Sequence, residues 1–197
     1  MKTEPDTSVF TRRIAIAAIA IELCGATAVA RAQADNEAGW QALGRGAILL
    51  VRHANAPGVG DPANFKLGDC STQRNLDQTG REQAKRLGDQ FVGRKIAVGG
   101  VLTSQWCRTR ETAELAFPKR ARDDVNFNSF FGDSKSEPAQ TAAALGTLAR
   151  WAGPGALVVV THQVNITALT GVVPASSEGV VVRPKGDGIE VVGRITP

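Results

Sequence analysis

The chain has 197 residues, 43% of them hydrophobic and 21% charged, which suits one globular domain with a substantial core and excludes a disordered chain. Its formal charge is +4, with no Tyr and only 5% aromatic residues. This mild basic excess, without a Lys/Arg-rich run or aromatic interleaving, argues against a nucleic-acid partner and is compatible with a small anionic ligand.

The first residues read as an address. Arg12 and Arg13 precede the apolar run IAIAAIAIELCGATAVA, which passes into ARAQAD with small residues at Ala32 and Ala34. A positive region, an apolar region and an A-x-A site predict a secretory signal peptide over 1–34, leaving a mature domain over 35–197. The protein is then expected in the periplasm or secreted, by the general route or, given the paired arginines, a twin-arginine route. Glu22 inside the apolar region argues against a permanent transmembrane helix, and no stable membrane insertion is expected once the signal is removed. Glu22 and Leu23 make a poor lipobox before Cys24, so an ordinary cleaved signal is expected rather than a lipid anchor.

Beyond the signal, GRGAILLVRH is a continuous apolar run that predicts a first strand buried on both faces. A Gly/Pro/Asp-rich loop follows from Ala56 to about Ser71. NLDQTGREQAKRLGDQFVG has helical spacing, with Ala84, Leu87 and Phe91 on one face. VGGVLTS predicts a second strand and QWCRTRETAELAF a second helix that stops at Pro118. DVNFNSFFGD is expected to be a third strand running into a loop. SEPAQTAAALGTLARWAG predicts a helix that starts at Ser136 or Glu137, with Pro138 in its first turn. GALVVVTH is a fourth strand, QVNITALTG a short helix closed by Gly171, and GVVVRP and GIEVVGRI a terminal hairpin around KGDG.

Strands alternating with helices imply an α/β fold, a three-layer α/β/α sandwich with a mainly parallel sheet and helices on both faces. Ligands in such sheets bind beyond the carboxyl ends of the strands. The chain has only two histidines, and both sit there: His53 after Arg52 at the end of the first strand, His162 after Thr161 at the end of the fourth. Ser104 ends the second strand and leads to Arg108 and Arg110. Arginines in a first helical turn oppose the helix dipole, but with the helix amides they make a strong anion site. Two imidazoles and several guanidinium groups, without a cysteine or carboxylate cluster, point to phosphoryl binding rather than to a metal. Cys70 and Cys107, the cysteines of the mature chain, are either a disulfide or two buried, inert thiols.

LVRHA, LDQTGREQAKRLG, TSQWCRTRETAE and VVVTH, in this order, resemble the signature blocks of the histidine phosphatase superfamily, the phosphoglycerate-mutase-like fold. The likeness runs from Ile48 to about Gly171 and is greatest to small periplasmic or secreted members. It implies that His53 is the nucleophile that becomes phosphorylated, that Arg52 and Arg108 clamp the phosphate, and that His162 contacts the phosphoryl group. It also implies a hydrolase of phosphomonoesters that works without cofactor or metal. The expected substrate is a small phosphorylated metabolite or an envelope sugar phosphate.

The chain departs from the family pattern in several places. Ala54 stands where glycine is usual, and Asn55 is the nearest match to a polar residue that often assists phosphate binding. Ser129 stands about where many members carry a general-acid Glu, and Gln163 follows His162 where the phytase-like branch has Asp. Asp133 is the nearest carboxylate in that loop and the first candidate acid, ahead of Asp124 and Glu137, with water or a good leaving group as the alternative, and Arg74 is a candidate pocket residue. The absence of a standard acid leaves a second expectation open: a catalytically weak or inactive anion-binding module of the same fold.

Overall fold

The computed structural model describes residues 30–197, and all but the last five residues of the expected signal lie outside the described residues. Residues 36–197 form one compact unit. Residues 36–44 of this unit are helical (α1). Six strands follow, β1 (Ile48–Arg52), β2 (Val98–Thr103), β3 (Ala121–Asp123), β4 (Ala156–Thr161), β5 (Gly179–Lys185) and β6 (Gly188–Ile195). They are interleaved with α2 (Gln78–Gly93), α3 (Cys107–Ala116), α4 (Glu137–Ala149) and α5 (Gln163–Thr170).

All six strands belong to one sheet in the order β3-β2-β4-β1-β5-β6. The first four are parallel, and the hairpin β5–β6 adds an antiparallel edge beside β1. The apolar run of β1 serves two cores at once. Leu49 and Val51 pack with Leu87, Phe91, Ala113 and Phe117 from the α2–α3 side, and Trp40 and Leu43 of α1 join them. Ile48 and Leu50 face the other layer, against Ala144 and Leu148 of α4, Ile166 of α5 and Phe127. Period-two alternation with both faces buried is what a central strand in a covered parallel sheet requires, and it yields the expected three layers.

One element differs from the sequence reading. The third strand is Ala121–Asp123, and DVNFNSFFGD contributes a 3₁₀ turn over Val125–Phe127 instead. The Asp124 side chain accepts a hydrogen bond from Asn126 N–H and closes that turn, a local bond that competes with extended backbone. Phe127, fully buried, then drops into the α4–α5 core, a position that strand alternation has no means of assigning.

Helix α2 begins at Asp77, whose carboxylate accepts from Gly80 N–H. Its first turn packs against the segment after β1 so closely that a Cβ at Gly80 would overlap the Asn55 carbonyl oxygen. Glycine there lets α2 brace the backbone just beyond His53. A disulfide joins Cys70 to Cys107, with Cα atoms 5.7 Å apart, and so ties the long loop after β1 to the first residue of α3. Of the two states open for these cysteines, the bridged one is present.

Candidate active site

The sheet ladder continues past the ends of its strands. Arg52 is paired in register with Thr161, His53 N–H donates to Thr161 O (2.9 Å), and Ser104 N–H donates to Val160 O (3.1 Å). Three strand exits are thereby fixed side by side, and α3 starts immediately beyond the exit of β2. The result is a crevice of about 150 Å³ lined by Arg52, His53, Arg74, Arg108, His162 and residues of the surrounding loops. His53, Arg108 and His162 are each less than 5% exposed. The imidazole centroids lie 5.5 Å apart.

The hydrogen bonds define the protonation pattern. His53 Nδ1–H donates to Ala54 O (2.8 Å), so Nε2 carries the free lone pair, and Arg108 Nε–H points at it from 3.3 Å. His162 shows the reverse arrangement. Its Nε2–H donates to Ser104 Oγ (2.8 Å), and Arg108 reaches Nδ1 at 3.5 Å. Arg108 thus spans the two imidazoles. Burial, followed by the positive charges of Arg108, Arg52 and Arg74, lowers the His53 pKa to about 3, although its bond to Ala54 opposes the shift. His162 is held well below its ordinary value by burial, the neighbouring His53 and the same arginines. Both rings are therefore neutral at pH 7.

Each cation is positioned by the fold. Arg52 donates through Nη1 to Pro174 O (3.0 Å), while its buried Nε has no partner among the described residues. Arg74 donates to the carbonyl oxygens of Gly60 (2.7 Å), Gly58 (2.8 Å) and Ala56, and so pins the loop after β1 from inside the crevice. Arg108 grips Asp61, with Nη1 2.6 Å from Oδ1 and Nη2 3.3 Å from Oδ2. Trp106 Nε1–H donates to the same carboxylate at 2.9 Å. Three guanidinium groups, two neutral imidazoles and one carboxylate leave the crevice strongly positive, which favours a phosphate-sized anion.

The structure brings together His53, His162, Arg52, Arg108 and Arg74, five of the seven residues singled out from sequence. The other two lie elsewhere. Asn55 turns its side chain to Asp77 Oδ2 (2.8 Å), and its backbone N–H goes to Gln83, so it braces α2 rather than facing the crevice. Asp133 is exposed and lines a neighbouring depression with Phe65, Trp106 and Gly132. It lies there because the chain turns away after Phe131: Asp133 N–H bonds back to Phe130 O, and a 3₁₀ turn runs over Ser134–Ser136. Arg110 pairs with Asp123 on the other side of α3.

Two residues escape a reading of the sequence. Ser104, fully buried, bonds His162 Nε2 and fixes the orientation of the ring, a role its place at a strand end only hints at. Asp61 is the only acidic residue lining the crevice among the described residues. Its signal, a single Asp-Pro in a loop already rich in Gly, Pro and Asp, is too weak to separate from turn chemistry.

Comparison with known proteins agrees with this geometry. Residues 48–130 match the family model of the histidine phosphatase superfamily (branch 1), a span that includes Arg52, His53, Asp61, Arg74 and Arg108. No curated protein matches by sequence. Among solved structures, the putative phosphohistidine phosphatase SixA from Agrobacterium tumefaciens is 17% identical, with a TM-score of 0.51, covering 77% of this chain and 98% of that one. TTHB049 from Thermus thermophilus is 18% identical (TM-score 0.52, 77% and 99% covered). A mutant phosphoserine phosphatase from Entamoeba histolytica in complex with phosphoserine is 12% identical (TM-score 0.52, 75% and 95% covered). At these identities the likeness establishes the fold alone. The chain thus shares the three-layer sandwich of these structures, and its residues 48–130 are similar to the histidine phosphatase superfamily (branch 1).

Proposed function

We propose that the protein hydrolyses phosphomonoesters through a phosphohistidine on His53. The observation that carries this reading is the orientation of His53: buried, neutral, with Nε2 unprotonated and facing Arg108. In the first step Nε2 attacks phosphorus, the ester P–O bond breaks, and its electron pair leaves with the alcohol oxygen. In the second, water attacks the phosphoryl group, the N–P bond breaks and inorganic phosphate is released. Arg108 and Arg52, whose Nε has no partner among the described residues, supply donors to the phosphoryl oxygens throughout. Arg74 adds positive charge to the crevice, and His162 is the second imidazole that contacts the phosphoryl group. The reaction needs no metal on this reading.

The substrate on this reading is a small phosphorylated metabolite or envelope sugar phosphate met outside the cytoplasm after removal of residues 1–34. The Cys70–Cys107 disulfide supports an oxidising compartment. Rapid-quench mixing of the full chain with a labelled aryl phosphate tests the chemistry. The expected product is protein-bound phosphate that is labile in acid and stable in base, formed undiminished after chelation. Absence of such a species during turnover would remove the covalent route. A single burst of bound phosphate without steady turnover would favour the anion-binding module instead.

A further inference from the structure

The remaining chemical gap is the proton for the leaving group. Ser129 and Gln163, at the two positions where acids are usual in this superfamily, both line the crevice and neither is an acid. Resting on the phosphatase reading above, we propose that Asp61 protonates the leaving alcohol and then activates the water that hydrolyses the phosphohistidine.

Its placement is built rather than incidental. The carboxylate is held from two directions, by Arg108 and by Trp106 Nε1. Trp106 is itself fixed by stacking on Phe65, with centroids 5.2 Å apart, and by the disulfide at the adjacent Cys107. The backbone that presents Asp61 is pinned by Arg74 through Gly60, its immediate neighbour. A single guanidinium separates the carboxylate from the nucleophile: Arg108 Nε bonds His53 Nε2, while Nη1 bonds Asp61 Oδ1. The leaving oxygen departs away from Nε2, and the sides of the crevice are loop residues, Gly58 to Asp61 with Ser129 and Phe131. Asp61 is the one carboxyl group among them.

Before substrate arrives, burial raises the Asp61 pKa, but the bonds from Arg108 and Trp106 and the charges of Arg108 and Arg74 more than offset this and hold it below the usual carboxylate value. An arriving phosphoryl dianion changes this balance. It competes for the Arg108 donors and adds negative charge beside the carboxylate, and each effect favours the protonated form. The acid is therefore generated by loading the site. The proton moves from Asp61 to the bridging oxygen as the P–O bond breaks. The resulting carboxylate accepts a proton from the attacking water, so Asp61 regains it when phosphate is released.

The test compares Asp61→Asn with wild type on glycerol phosphate and p-nitrophenyl phosphate, together with inhibition by inorganic phosphate. General-acid catalysis is worth about 10²–10⁴-fold where the leaving alkoxide is unstable. The expected result is a loss of that order on glycerol phosphate, a far smaller loss on the aryl ester, and a basic limb in the alkyl pH–rate profile that the variant lacks. Asp61→Glu should restore part of the alkyl rate. Equal losses on both esters would mean that Asp61 only orients Arg108. Gains on both, with tighter phosphate inhibition, would mean that it merely blocks the anion site. Either result overturns the assignment. Should the Asn variant fail to fold, wild type carries the test through a series of leaving groups: the rate should vary little with leaving-group acidity at neutral pH and steeply above the basic limb, and a dependence that is steep throughout rejects the proposal. These failures differ from failure of the phosphatase reading, in which wild type forms no phosphohistidine and hydrolyses neither ester.

Discussion

The crevice has two kinds of wall. One is made by strand exits and the start of α3, where His53, Arg108, Ser104 and His162 are held by the sheet ladder and are almost wholly buried. The other is made by the loop after β1 and the segment after β3, where Val59 and Phe131 are 87% and 60% exposed. The first holds groups whose protonation and aim must be fixed before substrate arrives; burial in a low-dielectric, well-packed setting does this. The second must admit a substrate and release an alcohol. Its order comes from a few tethers, namely the Arg74 bonds, the Arg108–Asp61 pair and the disulfide. The difference separates groups that must be preset from walls that must yield to a substrate.

The sharpest way to break this comparison is to remove one group from the rigid wall. His53→Ala should lower turnover to the uncatalysed background and abolish phosphoryl labelling, because His162 has its Nε2 committed to Ser104. Labelling that persists in the variant would place the nucleophile elsewhere. Arg108→Ala should come next. Loss of one preorganised donor costs about 10²–10³ in kcat, and here it also releases Asp61 and both imidazoles from a shared partner. Arg108→Lys should recover little, since an ammonium cannot span three partners as a planar guanidinium does.

The two walls are also unequally legible in the sequence. Both histidines, Arg52 and Arg108 come after apolar runs, and an apolar run that ends in a polar group fixes both the strand and the place where the chain beyond it emerges. Residues on the loop wall have no such frame. Asp133 owes its candidacy to its place after FNSFF, yet Phe127 enters the core through a 3₁₀ turn and the chain turns away from the crevice after Phe131. Asn55 owes its own to nearness to His53, but its side chain is taken by the N-cap residue of α2. Nothing local marks Asp61. Its role depends on Arg108 and Trp106, 47 and 45 residues further along the chain. Long-range pairing of this kind carries no periodicity for a sequence reading to find.

Acid pH probes the rigid wall through His53. Its pKa is about 3 in the folded protein against an ordinary value of 6.5, so between these values the unfolded chain binds a proton that the native state refuses. Stability therefore falls as pH drops below 6.5 and continues to fall toward 3, and His162 acts in the same sense. Denaturant titrations at pH 7 and pH 5 should show this as an earlier midpoint at pH 5, and His53→Ala should reduce the difference. A midpoint that does not move would contradict the burial of neutral imidazoles. Over the same range the free enzyme keeps a neutral nucleophile, so phosphohistidine formation from an aryl phosphate should persist at pH 5.

The loop wall should respond to loss of its tether. The disulfide closes a sequence separation of 37 residues, for which chain entropy gives a stabilisation of about 4 kcal/mol at most, with 2–4 kcal/mol typical. Replacing both cysteines with serine should lower stability by about that amount in denaturant titrations. Activity should suffer less, with KM rising more than kcat falls, because the strand exits hold the nucleophile without help from the bridge. A selective collapse of kcat would mean that the bridge positions Arg108 itself.

The smallest effect sharpens the boundary between the walls. Asp133 and Asp61 border the same depression beside the crevice, but only Asp61 lines the crevice itself and bonds a cation there. Asp133 has no side-chain cap bond at the turn it precedes and is exposed. Asp133→Asn should therefore leave the alkyl and aryl rates alike and unchanged, and shift stability by no more than about 0.5 kcal/mol, as for an ordinary surface position. The same kinetic pair that isolates Asp61 checks this. A loss confined to the alkyl ester in the Asp133 variant would show that the segment after β3 folds over the crevice during turnover and would move the proton donor to that side.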